Sequence, residues 1–349
     1  MSSKVSALGS WLKSRSADKL EAARGVGDHP AGRSPSRWPS AAGTAAVLIA
    51  AALAPFYLGV SVINALTLAM YYVVLASSWN LLAGYTGQFS LAQQTFATMG
   101  AYSTGLSIHY LSVPIWLGII LAAVTPAVAG VFLGLMVLRL RAIYLAIATW
   151  AFATSVQIVL TAAYKITRGQ LGLSVPALFP TLNPTPYYYV FLALAIATVA
   201  AISVLVTSPI GRFIRAIKDD EIKAASLGLN TTLWKVAIFG FTSLLCGLAG
   251  ALYAHYTVVL SPDMGDFIIM ADVITMVIIG GIGTLGGPVF GGLVIGVLLT
   301  YLQKYGIWDS IVFSLLVIII MRAGRRGLFT LGTEALGRLV RRAAKRDTA

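Results

Sequence analysis

The sequence predicts an all-α integral membrane protein with about ten transmembrane or re-entrant helices and with both termini in the cytoplasm. Hydrophobic residues make up 58% of the 349 residues and charged residues only 11%, whereas soluble domains have about 25% charged residues. Mean hydropathy is +0.84. Apolar stretches recur at about the 20-residue length that spans a bilayer. A multi-pass membrane protein is the class that fits all three observations.

Positive charge is confined to a few segments. Of the 25 Lys and Arg, 7 precede residue 40, 2 are Arg139 and Arg141, 5 lie between residues 212 and 235, and 8 follow Ile320. Short loops rich in Lys and Arg stay in the cytoplasm. The formal net charge of +13 therefore reflects which loops lie in the cytoplasm, and no nucleic acid is expected as a partner.

Ten apolar segments follow one another along the chain. We place them near 42–62, 64–84, 88–111, 114–138, 142–164, 187–207, 234–258, 268–284, 287–304 and 307–322. An even number of crossings then separates each pair of successive basic segments, as two cytoplasmic ends require. Eight spans with two re-entrant segments remain an alternative, because 88–111 and 268–304 are interrupted by polar residues and glycines.

These segments define the expected domains. Residues 1–40 are expected to form a disordered, basic cytoplasmic tail, and residues 323–349 a second basic tail. Between them, residues 41–322 form the transmembrane permease domain, with a cytoplasmic coupling loop at 208–234.

Two interrupted segments are candidates for a translocation path. The first, from Gly87 to Gly105, carries many polar side chains, and the second, from Met276 to Gly296, carries eight glycines. Broken helices in corresponding halves of a transporter point to its transport path, although small residues also allow close helix packing. The predicted path residues are Gln88, Ser90, Gln93, Gln94, Thr98, Gly280, Gly281 and Gly283.

Two further polar residues lie within apolar segments. Gln157 interrupts the segment at 142–164, and Asp272 is the lone acid within a predicted span. Ionisable and polar residues at membrane depth are functional candidates, so both join the predicted path. A solvated position at the outer mouth is an alternative for Asp272.

The polar island at 211–235 predicts a short docking helix. Asp219 or Asp220 can cap its first amides, Glu221 complements the helix dipole, and Gly228 suits a left-handed residue after the last turn. Ala224 and Ala225 would not hold a partner at a distance. The chain has no GxxxxGK[ST] nucleotide-binding loop and no catalytic constellation, so energy for active transport must come from a partner.

Three ordered stretches resemble one family. GQFSLAQQTFATMGAY from Gly87, RAIKDDEIKAASLGLN from Arg215 and IIGGIGTLGGPVFGG from Ile278 are similar to motifs of the membrane permease subunits of ABC importers for branched-chain amino acids, of the LivM type in the LivH/LivM family. Ala92 replaces a usual glycine, and residues 167–172 only partly follow the TGGxxGL pattern.

The resemblance implies a function and a set of partners. It implies a permease subunit in the bacterial inner membrane, paired with a LivH-like permease, two cytoplasmic ATPases and an external binding protein, surrounded by lipid and without a cofactor. Its substrates would be branched-chain or related amino acids. A stand-alone channel or secondary carrier for small solutes such as urea or amides is the alternative. The residues implied in ATPase coupling are Arg215, Asp219, Glu221, Ala224, Ala225 and Gly228.

Overall fold

A computed structural model describes residues 41–137, 140, 142–181, 183–302 and 314–315. The predicted tails and the predicted span at 307–322 lie outside the described residues, apart from 314–315. Residues up to Ala51 belong to one packing unit and residues from Ala52 onward to another. The helix α1 (Ala41–Tyr57) contains the end of the first unit.

The described residues are almost entirely helical. After α1 come α2 (Val60–Asn80), a π-helix (Leu81–Thr86), α3 (Gln93–Leu111), α4 (Ile115–Val137), α5 (Ala142–Ala162), α6 (Tyr164–Thr167), α7 (Thr185–Thr207), α8 (Pro209–Asp219), α9 (Glu221–Ser226), α10 (Thr231–Thr257), α11 (Phe267–Gly280) and α12 (Gly286–Leu302). Short 3₁₀-helices lie at Gly169–Leu171 and Pro262–Gly265, and two short strands, β1 (Leu173–Ser174) and β2 (Val259–Leu260), pair antiparallel.

Five of the described helices are long and apolar enough to cross a membrane: Val60–Thr86, Ile115–Val137, Ile143–Ala162, Thr185–Thr207 and Thr231–Thr257. The helix Gly286–Leu302 is apolar but shorter. This pattern agrees with a polytopic membrane protein and with the predicted segment positions. The number of full spans stays a prediction.

The third predicted segment is a helix only from Gln93 onward, so the expected helical start at residue 88 is wrong. Residues 87–92 are not helical, because Gly87 turns the chain with a left-handed φ of 72°. In place of helical backbone hydrogen bonds, this segment makes contacts with other helices. The Trp79 indole donates to the Ser90 carbonyl at 2.7 Å, and the Leu91 amide donates to Thr149 Oγ1 at 3.0 Å. Ser90 therefore does not share a helical stripe with Gln94.

Helix α3 begins deep within the helix bundle. The Gln93 side chain contacts Thr242 of α10, eleven residues after that helix starts at Thr231, which is about 17 Å at 1.5 Å per residue. The Leu91 amide meets Thr149, seven residues after α5 starts at Ala142, or about 11 Å. The start of α3 therefore lies about two to three helical turns along its neighbours from their first residues.

Glycines bring α3, α4 and α10 into backbone contact. A side chain on Gly250 would overlap the carbonyl of Ala97, and one on Gly100 would overlap the carbonyl of Gly247. In turn, a side chain on Gly247 would overlap the carbonyl of Ala122 in α4. Small residues are the usual means of close helix approach in membranes, and here they bring α10 into contact with both α3 and α4.

The second glycine-rich segment is broken only at residues 281–285. Met276–Gly280 closes α11, and Gly286 already begins α12, so the later glycines and Pro288 are helical. A side chain on Gly280 would overlap the Gly287 carbonyl, and one on Gly291 would overlap the Met276 carbonyl. The two helices thus form a tightly packed hairpin.

Loop contacts fall into two sets. One set joins segments that the charge pattern assigns to the outside: β1 pairs with β2, Gln170 Nε2 donates to Asp263 at 2.9 Å, and His255 Nδ1 lies 2.8 Å from the Pro176 carbonyl. The other set joins the basic loop after α7 to the π-helix through Lys218 and to α10 through Glu221. The side of the membrane on which each set lies stays a prediction.

Candidate coupling helix and translocation path

The predicted docking helix is α9, and its N-cap is Asp220. The Asp220 carboxylate accepts from the amides of Ile222 and Lys223, both at 3.1 Å. The Lys223 amide, then the Lys223 ammonium, hold the pKa of the Asp220 carboxyl below its usual value. Asp219, the alternative cap, instead lies in the last turn of α8. Both acids precede a helix, but only Asp220 has the extended backbone of a cap.

Gly228 ends α9 as predicted. Its φ is +85°, its amide donates to the Ala225 carbonyl, and the Leu229 amide donates to the Ala224 carbonyl. This pair of bonds is the Schellman motif, in which a left-handed residue satisfies the last free carbonyls of a helix. Nothing lies within 4 Å of where a Gly228 side chain would begin, so the glycine is required by backbone conformation.

Two large apolar side chains on α9 and its C-cap are exposed, among charged and polar neighbours. Ile222 is 81% exposed and Leu227 is 84% exposed. Ala225 is exposed beside them, whereas Ala224 is buried against the protein. The two predicted alanines therefore have different roles: Ala224 packs the helix against the protein, and Ala225 lies on its exposed side.

Two contacts fix α9 and α8 to membrane helices. Glu221 forms an ion pair with Lys235 in the first turn of α10, with oxygen and nitrogen 2.6 Å apart. The Arg215 guanidinium donates to the Val206 carbonyl at 3.0 Å, near the end of α7. Arg215 and Glu221 thus connect the loop to the bundle.

A third contact joins α8 to the π-helix. Lys218 Nζ donates to the Gly84 carbonyl at 2.6 Å. Carbonyls at the end of a helix lack intrahelical partners, and a cation there also complements the helix dipole. The Lys218 stem lies along the following turn, because a side chain on Gly87 would start 3.2 Å from Lys218 Cγ.

The same turn of the π-helix holds the loop between α11 and α12. Asn80 Oδ1 accepts from the Gly283 amide at 2.7 Å, and Asn80 Nδ2 donates to the Thr284 carbonyl at 2.8 Å. A side chain on Gly84 would overlap Asn80 Oδ1 and meet the Gly283 amide. We call Asn80, Gly84, Lys218, Gly283 and Thr284 the inner junction.

The predicted path residues of the first broken segment are buried among α2, α3 and α10. Gln93 Nε2 lies 3.4 Å from Thr242 Oγ1, and its Oε1 has no described hydrogen-bond partner. Gln94 accepts from the Tyr71 hydroxyl and donates to the Met264 carbonyl. Both polar atoms of the Gln88 side chain, which is 3% exposed, have no described partner. Ser90 Oγ accepts from the Ala92 amide at 3.2 Å.

A small cleft lies beside the first turn of α3. Its walls come from α3, α5, α11 and the 3₁₀-helix before α11, and its lining residues include Leu91, Thr95, Trp150, Gln157, Phe267 and Met270. Gln157 therefore lies beside the first broken segment, and its place in a translocation path stays a prediction. Thr98 does not line the cleft; its hydroxyl donates to the Gln94 carbonyl within the helix.

The remaining predicted path residues lie elsewhere. Asp272 is half-buried on α11 and interacts electrostatically with Tyr72 of α2. Gly280 packs against α12, Gly281 and Gly283 have φ of 122° and 75°, and Gly283 belongs to the inner junction. These glycines have packing and turn roles in the structure, whereas lining of a path by them stays a prediction.

Sequence reasoning missed three residues of these regions. Lys218 was counted only as a loop cation, and Asn80 and Thr95 were not singled out. The contact between Lys218 and Gly84 spans 134 residues, and that between Asn80 and Gly283 spans 203. A polar Asn at the inner end of an apolar span was the one available signal.

Comparisons with known proteins agree on one family. Residues 61–321 match the family model described as branched-chain amino acid transport system / permease component. The chain is 29% identical over 332 residues to the high-affinity branched-chain amino acid transport system permease protein LivM of Escherichia coli K12, covering 87% of this chain and 78% of the relative. It is also 29% identical to LivM of Salmonella typhimurium LT2, covering 81% of this chain and 73% of the relative.

A more distant relative has the name expected of a partner. The permease protein LivH of the same Salmonella system is 24% identical over 285 residues, covering 74% of this chain and 91% of the relative. No solved structure matches the chain significantly.

Proposed function

Because the chain belongs to the branched-chain amino acid transport permease family, we propose that it is the translocation subunit of an ABC importer for branched-chain or related amino acids. The relatives are permease subunits and not enzymes, so ATP hydrolysis belongs to partner subunits. The family does not favour the stand-alone channel or carrier for urea or amides. We place the protein in the bacterial inner membrane as a multi-pass subunit.

The observation that carries the proposal is a pair of exposed apolar side chains on α9 and its C-cap. Ile222 and Leu227 are more than four-fifths exposed on a helix that is capped at both ends by Asp220 and Gly228. Exposed apolar side chains on a rigid, water-facing element indicate a protein contact. We propose that a cytoplasmic ATPase binds here. Ala225 would lie in the contact, and Ala224 would hold the helix against the permease.

The three attachments of the loop would carry ATPase movement into the bundle. Glu221 holds α10, Arg215 holds α7, and Lys218 holds the π-helix. Since these contacts reach three different membrane elements, closure of an ATPase pair would displace them together. Asp219, on the exposed end of α8, would contact the ATPase directly. Such displacement supports alternating access, in which the site opens to one side at a time.

The proposed partners are a second permease, two ATPases and an external binding protein. The LivM and LivH relatives support pairing with a LivH-like permease, and one ATPase would bind each permease. An external binding protein would deliver substrate to the outer loops around β1 and β2. We propose that substrate then passes Gln88, Ser90, Gln93, Gln94, Thr98, Gln157 and Asp272, with the Gly280–Gly283 turn at the inner end.

The test is recovery of ATPase with the purified permease. Gly228→Leu places a side chain at φ +85°, which costs about 1–3 kcal/mol for a non-glycine residue and disturbs the end of α9. We expect about tenfold less ATPase to co-purify. Gly59→Leu is the matched control, because Gly59 has an ordinary φ of −69° and open space around it. Full ATPase recovery and uptake with Gly228→Leu would show that α9 is not the docking element.

A further inference from the structure

The 3₁₀-helix Pro262–Gly265, which precedes α11, lies against one side of α3. A β-carbon built on Gly265 is 3.8 Å from Thr98 Cβ. The Met264 carbonyl accepts from the side-chain amide of Gln94. We call Pro262–Gly265 the cover, because it closes off part of the surface of α3.

The strip of α3 beneath the cover is polar, but two of its hydroxyls have no partner. Thr95, Thr98 and Tyr102 follow one another on one side of the helix, and Met264 of the cover packs on the apolar cluster that contains Tyr102. The Thr95 and Tyr102 side chains are each 2% exposed, and neither hydroxyl has a hydrogen-bond partner among the described residues. Since buried polar groups are paired almost everywhere in proteins, the covered arrangement leaves this strip unsatisfied.

Side-chain amides hold the cover in place. One is that of Gln94, and another is that of Gln170, whose Nε2 donates to Asp263 at 2.9 Å. Within the part of the chain that the structure describes, no ion pair fixes the cover. Ser261 caps the cover and Asp266 caps α11, so neither helix depends on α3 for its first turn. The cover can therefore leave α3 as one piece.

A narrow opening already runs along one edge of the cover. The small cleft beside the first turn of α3 is lined by Gly265 of the cover, by Thr95 and, on α5, by Trp150 and Gln157. This cleft is far smaller than an amino acid, and the Thr95 hydroxyl is buried away from it. Displacement of the cover would widen the cleft and join it to the polar strip.

We propose that the cover is a gate, which leaves α3 during transport and exposes the Thr95 and Tyr102 hydroxyls to the passing substrate. The proposal rests on the proposed function, since it names a moving part of the same transport path. With the cover displaced, water or polar groups of the substrate would satisfy both hydroxyls. Unpartnered hydroxyls raise the free energy of the covered state, so the two states come closer in population, as a transport cycle requires.

The first experiment locks the gate with a disulfide. The 3.8 Å between the β-carbons at positions 265 and 98 matches the usual spacing in disulfides, so Gly265→Cys with Thr98→Cys should cross-link on oxidation. In proteoliposomes that contain the complete importer, we expect oxidation to abolish leucine uptake and a reductant to restore it. The two single variants, oxidised in the same way, are the controls and should keep their uptake. Normal uptake by the cross-linked double variant would overturn the gate.

The second experiment asks whether the strip opens during transport. Thr95→Cys places a thiol beneath the cover, and its reaction with N-ethylmaleimide is followed by mass spectrometry. We expect this thiol to be protected in the resting importer and to react during ATP-driven uptake. The native Cys246, buried in α10, is the internal control and should stay unreactive. Protection of the introduced thiol throughout turnover would refute the opening.

The third experiment removes one unpartnered hydroxyl. In the Thr95→Cys background, Tyr102→Phe takes a buried hydroxyl from beneath the cover, which favours the covered state. Labelling during turnover should therefore slow about tenfold. Tyr144→Phe, at an exposed position on α5, is the matched control and should leave the rate unchanged. Equal rates in the two variants would contradict the role given to the hydroxyls.

The two proposals can fail separately. If wild-type permease recovers no ATPase, the proposed function fails, whatever the thiols show. If ATPase-driven uptake is normal both in the wild type and in the cross-linked variant, only the gate fails.

Discussion

Replacing Lys218 with methionine should uncouple ATP hydrolysis from transport. Lys218 lies two residues before the Asp220 cap of the docking helix, and its ammonium donates to Gly84 at the end of the π-helix. Methionine keeps most of the aliphatic stem that lies along Gly87 and removes the charge. The change therefore cuts the link between docking helix and inner junction without altering the face offered to an ATPase.

The size of the effect follows from one hydrogen bond. A bond from a charged donor contributes about 1.5–3 kcal/mol, and the Nζ to oxygen distance of 2.6 Å is short. Since Lys218 is largely exposed, we take the lower end, about 1.5 kcal/mol, which corresponds to about tenfold in an equilibrium. We therefore expect a movement of the docking helix to be transmitted to the inner junction in about tenfold fewer transport cycles.

The assay is the ratio of leucine taken up to ATP hydrolysed, in proteoliposomes that contain the complete importer. Lys218→Met should lower this ratio about tenfold while ATPase recovery and hydrolysis stay near wild-type values. Lys218→Arg keeps the cation and should restore much of the ratio. Arg212→Met, which removes an exposed cation from the same helix, is the matched control.

Two results would refute the reasoning. A ratio within twofold of the wild type would show that the contact with Gly84 carries no movement. Loss of ATPase recovery would show that Lys218 belongs to the docking surface itself. Cysteine labelling at Ile282, which is 50% exposed beside the junction, adds a direct readout: trapping the ATPases with vanadate should change labelling in the wild type and not in Lys218→Met.

Three further predictions concern packing, pH and the path. Gly250→Ala should lower the free energy of unfolding by about 1–3 kcal/mol, because its methyl group overlaps a carbonyl of α3; equal thermal midpoints for it and Gly59→Ala would contradict the packing. The pKa of the Asp220 carboxyl is lowered, so the Asp220 cap stabilises α9 fully above the ordinary carboxyl pKa, and this stabilisation is lost as pH falls below about 4. Hydrogen exchange of the α9 amides, corrected for the intrinsic exchange rate, should show this loss in the wild type. The Asp220→Asn variant should not show it. Gln93→Leu and Gln157→Leu should each slow uptake or change its selectivity with ATPase recovery unchanged, and normal kinetics in both would leave these residues with packing roles.

Local signals in the sequence were enough to find α9. The cap, the first-turn acid and the left-handed glycine all lie within ten residues, and their preferences do not depend on distant partners. Asp219 and Asp220 could not be ranked, because the end of α8 decides between them. The amphipathic helix α8 was not predicted, for a related reason. Its Ile214 and Ile217 are buried, but in the sequence they lie within a charged loop, and the surface that they cover belongs to distant segments.

Contacts between distant segments could not be predicted. The π-helix has an ordinary apolar sequence, and nothing in that sequence predicts that Gly84 lies against the backbone of Gly283. The glycine-rich segment showed that something approaches closely, but not whether the neighbour is another helix or a substrate. In the structure the neighbour of Gly280 is Gly287. The start of α3 at Gln93 was missed because polar residues before it suit a helix as well as an extended segment.

The inner junction has a consequence for biogenesis. Helix α11 has 14 residues, about 21 Å long, which is short of a bilayer core of about 30 Å. The amide of Gly283 and the carbonyl of Thr284 are satisfied by Asn80, which the ribosome makes some two hundred residues earlier. We therefore expect the hairpin of α11 and α12 to enter the membrane as one unit and to pack onto the earlier helices after these have assembled.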